Sequence, residues 1–160
     1  MTMRGSPLAI SSIGLLAAWL GASLLVAAVV APAAFAVLPT RTLAGALVGR
    51  VLPVIFWSGI VLGVVVALLG GRMGLGRFGL ASSIVLTLAS GAAQLVVAPR
   101  IEALRASIGG AVDALDVTDP RRMAFGRMHG ISVLLMGVGM LGAAVALVAL
   151  SRHLSSRSTG

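Results

Sequence analysis

Few side chains in this sequence can do chemistry, and His129 is the most versatile of them. An imidazole titrates near neutrality and ligates metals. On a helix His129 shares a stripe with Phe125, Ser132, Met136 and Met140, spaced four, three, four and four residues apart. The two thioethers suit copper(I), a soft ion. They stand two to three turns away, however, and no cysteine or second histidine is near. His153 lies about 36 Å further along the same helix at roughly 1.5 Å per residue, too far to share a haem with His129 from one chain. These spacings favour a structural histidine, hydrogen-bonded to a loop carbonyl or to a neighbouring helix. Metal or haem ligation at His129 is the lesser alternative, and no resident cofactor is expected.

A second constellation is Ser83, Thr87, Ser90 and Gln94, whose spacing of four, three and four puts them on one helical face. Polar groups facing hydrocarbon are costly, so this line should face another helix or a hydrated crevice. Hydrogen bonding between helices is the reading preferred, at about 0.6 kcal/mol per contact. A permeation or binding path along the hydroxyls and the Gln94 amide is the alternative.

No other pattern points to catalysis. The sequence has no paired carboxylates in an apolar run, no Ser-His-Asp spacing, no H-E-x-x-H and no P-loop. Glu102 has Arg105 at i+3 as its only evident companion, which reads as solvated surface. Gly74, Gly76 and Gly79 match G-x-G-x-x-G formally. A dinucleotide site needs a strand before that motif, and here an apolar helix precedes it, so the stretch reads as a tight hairpin with Arg72 and Arg77 at the headgroups. A non-catalytic role is expected.

The elements that carry these residues are set by composition. Hydrophobic residues make up 59% of the chain and charged residues 10%, against about 25% charged in an ordinary soluble domain. The reading is all-α: an integral membrane four-helix bundle forming one transmembrane domain over residues 1–160. Its spans are expected at about 8–38, 43–69, 78–98 and 120–152, each long enough for roughly 30 Å of hydrocarbon. Asp119 followed by Pro120 reads as an N-cap with proline at the first helical position. Between the third and fourth spans, Ile101, Leu104, Ile108, Val112 and Leu115 recur at three- and four-residue steps. They predict a short amphipathic interfacial helix over about 100–117, started where Ala98-Pro99-Arg100 ends the third span. Arg4 and Ala34-Phe35-Ala36 imitate a signal peptide with its cleavage site, but the apolar run between them is longer than the 7 to 15 residues of a secretory segment, so a retained span is expected. The tail from Ser151 to Gly160 is expected to be mobile.

Small residues mark where helices meet. Gly14, Ala18 and Ala22 recur every fourth residue, as do Ala17 and Gly21, and Gly59 and Gly63 form a G-x-x-x-G pair. Contact within the chain is the reading preferred for Gly59 and Gly63. Trp19, in mid-span, should pack inward with its N–H partnered, and Pro53 should kink the second span near Phe56 and Trp57.

All twelve basic residues are arginine, and four acids leave a net charge of +8. Beside apolar runs they contact lipid headgroups, so the bilayer and other transmembrane helices are the expected partners, as a homo- or hetero-oligomer, and nucleic acid is not. Arg4, Arg72, Arg77, Arg152 and Arg157 fall on one side, and Arg41, Arg100, Arg105, Arg121 and Arg122 on the other, with Arg50 and Arg127 inside helix ends. The positive-inside rule therefore gives no orientation.

Several stretches resemble a known family. Trp19-x-Gly21, Val37-Leu38-Pro39-x-Arg41-x-x-Gly45 followed by Leu52-Pro53, Ala98-Pro99-Arg100, and Phe125-x-x-x-His129-Gly130-x-Ser132 resemble the transmembrane-protein-205-like family, also labelled domain of unknown function 4149. The resemblance runs from about Trp19 to Leu150 and implies a four-helix integral membrane protein without an established reaction. Together with the small-residue faces, it leads to the expectation of a structural or accessory subunit of a larger membrane complex, in a bacterial cytoplasmic (inner) membrane. A small transporter or channel component using the third-span polar face is the alternative, and a copper or haem protein the weaker one.

Overall fold

The computed structural model describes residues 5–158. Arg4 and the final residues Thr159 and Gly160 lie outside them. Among the described residues every regular element is helical. Four helices are long and apolar enough to cross a bilayer: Pro7–Val37, Arg41–Met73, Arg77–Ile108 and Pro120–Ser156. In their most apolar windows only 22% to 39% of residues are buried inside the protein. The remaining Leu, Val and Ile side chains point outward, where lipid and not water must receive them.

Each reversal has a local cause. Proline at position 39 forces Leu38 into an extended conformation (φ −75°, ψ 143°), which ends the first helix. Thr40 then caps the second, its Oγ1 accepting from the Leu43 N–H at 3.2 Å. That helix stops where Gly74 turns left-handed (φ 74°). The Leu75 N–H closes the end by donating to the Gly70 carbonyl at 2.8 Å, and the Leu75 side chain is buried against Gly70 and Gly79. The formal nucleotide motif is therefore a helix–helix hairpin held by a leucine plug. At the opposite end Asp119 caps the fourth helix, its Oδ1 accepting from the Arg121 N–H at 2.8 Å. The hydrogen bonds from Arg121 hold the Asp119 carboxyl below the ordinary carboxylate range.

The structure corrects the expected end of the third span. Pro99 does not stop that helix, and residues 100–108 continue it instead of lying apart as an interfacial helix over 100–117. The break comes at Gly109, left-handed at φ 65°, and beyond it Val112–Ala114 makes a single 3₁₀ turn. Proline is tolerated because a widened π turn, Ala92–Val97, comes just before it: the Ala98 N–H donates five residues back, to the Ala93 carbonyl. The wider turn accommodates a ring that would collide with the carbonyl four residues earlier in a regular helix. Pro32 is handled identically. The turn Val26–Val30 is π, and the Ala31 N–H donates to the Val26 carbonyl. Both sites carry the same tetrapeptide, Val-Val-Ala-Pro, at 29–32 and 96–99. The expected mobile tail is also helical as far as Ser158.

Glycine decides how closely the helices approach. A Cβ at Gly63 would meet the Ser83 carbonyl oxygen at 2.9 Å and the Thr87 nitrogen at 3.0 Å, besides the Thr87 hydroxyl. One at Gly142 would meet the Ser82 carbonyl oxygen at 2.8 Å and the Leu86 nitrogen at 3.0 Å. The third helix is thus gripped backbone to backbone by the second on one side and the fourth on the other. The first helix joins through Trp19, whose indole N–H donates to the Ile55 carbonyl at 2.9 Å. Its ring fills the place where Gly59, Ser90 and Gly139 come together.

Candidate functional site

At the end of the bundle that carries residues 38–40 and 109–119, a cavity of about 540 Å³ opens between the helices. The sequence explains why it is not filled. Gly45 and Gly49 leave two positions of the second helix's cleft face without a side chain, and Pro53 stands below them. The third helix reaches the cavity from its widened turn, at Gln94, and extends beyond Pro99 to bring Glu102 and Arg105 to the rim. The fourth contributes Phe125, His129 and Ser132.

Arg105 is the centre of the site. Its guanidinium lies against the glycine face, where a Cβ at Gly45 or Gly49 would come within 3.3 or 3.4 Å of its Nη atoms. Its Cζ sits 5.4 Å from the Phe125 ring centroid, a cation–π arrangement. Nη2 donates to the Gly45 carbonyl at 3.5 Å, and Nη1 lies 4.0 Å from Glu102 Oε2. With the side chain one-third exposed, this guanidinium is positioned by packing, and among the described residues most of its five N–H donors are unmatched. Arg41 and Asp113 line the same cavity, and among the described residues neither is in an ion pair.

The loop's other two acids are engaged locally. Asp116 Oδ1 accepts from the Thr118 N–H at 2.8 Å and hydroxyl at 2.6 Å, which holds its carboxyl below the usual range, and Asp119 is tied to Arg121. The inner end of the cavity is Phe56, Gln94 and Ser132, and nothing deeper lines it. There Gln94 Oε1 is buried without a hydrogen-bond partner among the described residues.

The four polar residues of the third helix have different surroundings. Ser83 donates to the Gly79 carbonyl at 2.9 Å and Thr87 to that of Ser83 at 3.0 Å, both within their own helix and not across to another as expected. Gly63 seats on Thr87, and Gly59 on Ser90, so no space runs along this line. Gln94 alone reaches the cavity. A shallower hollow of about 370 Å³ at the opposite end, between Leu75, Phe78 and His153, shares no lining residue with the first.

His129 stands exposed at the edge of the cleft, and among the described residues it forms neither the expected bond to a loop carbonyl nor one to the third helix. At the boundary, water can satisfy the ring instead. Met136 and Met140 pack on Phe56 and Ala93 in an apolar cluster. Among the described residues no three His, Cys, Asp or Glu side chains gather where they could hold a metal.

The other residues singled out in the sequence fall into two groups. Arg41, Pro53, Phe125, His129 and Ser132, from three separate stretches, line the cleft together, while Pro39, Pro99, Arg100, Gly130 and Gly21 remain exposed around the bundle. Gly14, Ala18 and Ala22 face outward with Ala17 and Gly21, and nothing lies within 4 Å of a Cβ placed on Gly14 or Gly21. Arg105 and Gly142 were not distinguished by the sequence. One signal was available for Arg105: it follows Glu102 by three residues on an amphipathic stretch.

A family model described as a domain of unknown function (DUF4149) matches residues 14–109, from the first helix to the glycine that ends the third. No curated protein and no solved structure matches the chain.

Proposed function

The chain belongs to the DUF4149 family, and from that premise we propose that it is a non-enzymatic membrane protein that works by binding: an accessory subunit of a larger membrane assembly whose boundary cleft receives an amphipathic ligand. The observation that carries this reading is the make-up of the cleft. About 540 Å³ falls within the roughly 300–1,000 Å³ of small-molecule sites. Its walls are aromatic and aliphatic, its mouth is charged, and it is closed at the inner end. Such a recess holds a molecule with a polar head and an apolar body. Nothing in it pairs a nucleophile with a base and an orienting group.

The accessory role is supported by the outward small-residue face of the first helix, since faces of this kind seat partner helices in lipid. The transmembrane-protein-205-like naming is supported by the motifs quoted above, and placement in a bacterial cytoplasmic (inner) membrane belongs to the same proposal of an accessory subunit. Purification in mild detergent followed by native mass spectrometry tests it. The expected result is a species heavier than the monomer that retains a bound lipid-sized ligand. A lone, ligand-free monomer would overturn the reading.

One observation favours a transport reading, the Gln94 amide oxygen at the inner end of the cleft, which has no partner among the described residues. The glycine–hydroxyl packing below it argues against a path. Gln94→Leu is therefore expected to leave solute flux into liposomes at the background of empty vesicles, as for the unaltered protein. Flux above background that this substitution abolishes would establish transport instead.

A further inference from the structure

We propose that the cleft selects a zwitterionic phospholipid whose head carries a primary ammonium, the chemistry of phosphatidylethanolamine, with the phosphate at Arg105 and the ammonium between Glu102 and Asp113. This rests on the reading of the cleft as an amphiphile site and names its ligand.

The first argument is depth. The third helix has 32 residues, about 48 Å at roughly 1.5 Å each, against about 30 Å of hydrocarbon. Glu102 and Arg105, close to its end, therefore stand at headgroup level while the cleft runs inward from them beside the acyl chains.

The second is the state of Arg105. A planar guanidinium forks onto two oxygens of a phosphate diester. Here it is held by Phe125 and the glycine face, and among the described residues its only hydrogen bond is the 3.5 Å contact to the Gly45 carbonyl. Little ordering remains for a ligand to impose.

The third is the charge pattern of the rim. Arg41 and Arg105 line the cleft together with Glu102 and Asp113, so it carries two charges of each sign. An anionic head without a cation, such as phosphatidylglycerol, would satisfy the arginines and meet two carboxylates it cannot match. A quaternary ammonium, as in phosphatidylcholine, has no N–H to donate and is recognised by aromatic cages. Of the three phenylalanines that line the cleft, Phe125 is already covered by Arg105 and Phe56 lies at the inner end, which leaves Phe35 alone and no cage. A primary ammonium brings three donors, which suit two carboxylates. Among the described residues Asp113 is in no ion pair, and Glu102 meets only Arg105, at 4.0 Å, which leaves both carboxylates with acceptor capacity for the ammonium.

The experiment titrates delipidated full-length protein in detergent with the ethanolamine, choline and glycerol phospholipids of one acyl composition, read by native mass spectrometry. The ethanolamine lipid is expected to bind about tenfold more tightly than the other two, the scale of one charge-assisted hydrogen bond. Glu102→Gln combined with Asp113→Asn should reverse that order and put the glycerol lipid first. Arg105→Gln should weaken all three by about tenfold, with helix content by circular dichroism unchanged. Chain-free glycerophosphoethanolamine at millimolar concentration should not displace the lipid. Equal binding of the three lipids, or an ethanolamine preference that survives the double substitution, overturns the headgroup assignment and leaves the amphiphile site standing. Displacement by the chain-free head shows a soluble phosphoester site and overturns the lipid assignment. If no phospholipid binds, the amphiphile site falls with it.

Discussion

Leucine in place of Gly63 should drive the second and third helices apart and cost about 3 kcal/mol or more of stability, the upper end for overpacked sites. The reason is what the new side chain would strike. Two of its nearest neighbours are backbone atoms, the Ser83 carbonyl oxygen at 2.9 Å and the Thr87 nitrogen at 3.0 Å. Backbone inside a helix cannot swing aside, so the whole helix has to retreat. Gly59 makes the instructive comparison. A Cβ there would meet the Ser90 hydroxyl at 2.5 Å and the Trp19 ring at 2.9 Å. Both are side chains, and a serine can change rotamer, so alanine at 59 should cost less than alanine at 63. Unfolding in mixed micelles of rising denaturing-detergent content measures both. A Gly63→Leu variant as stable as the unaltered chain would mean that the two helices do not approach this closely.

Trp19→Ala should be the second largest loss, also about 3 kcal/mol, by opening a hole where all four helices meet. In soluble cores such truncations cost about 3–5 kcal/mol, part of which is transfer out of water. A bilayer offers no such transfer term between helices, so the lower end applies, and it reflects lost packing against Gly59 and Gly139. The indole hydrogen bond is the smaller effect. Polar contacts in membranes average about 0.6 kcal/mol, and the Ile55 carbonyl also accepts from the Ser58 hydroxyl at 3.0 Å. Trp19→Phe, which keeps most of the volume and drops the N–H, should therefore lose only about 1 kcal/mol. If phenylalanine proved as damaging as alanine in the same unfolding assay, hydrogen bonding and not packing would hold the first helix.

The four helices were legible because uncharged runs longer than 20 residues leave few alternatives. The end of the third was not. Pro99 has the local signature of a helix stop, and only the hydrogen-bond pattern of the preceding turn, which no residue type announces, lets the chain continue. This error concealed the site. Read as part of a separate surface helix, Arg105 was one charge among several, whereas on a continuous third helix it folds over Gly45. Spacing alone also failed to separate the two small-residue faces. Gly59 and Gly63 lie against Ser90 and Thr87, while Gly14 faces outward, though both series repeat every fourth residue. A glycine pattern records that a backbone can be approached and not by what. Arg41, Pro53, Phe125, His129 and Ser132 were more informative, since stretches distant in the chain converge on one recess.

The paired Val-Val-Ala-Pro turns fix the angular phase of everything above them. A helix advances about 100° per residue, and each widened turn takes up one extra residue, so the segments Ala31–Val37 and Ala98–Ile108 are rotated relative to the stretches below. Removing the offset from the third helix alone would swing Arg105 by about that angle, away from the glycines it rests on. The first helix carries an offset of the same kind beside the same tetrapeptide, so the upper parts of these two helices stay in step only while both are kept.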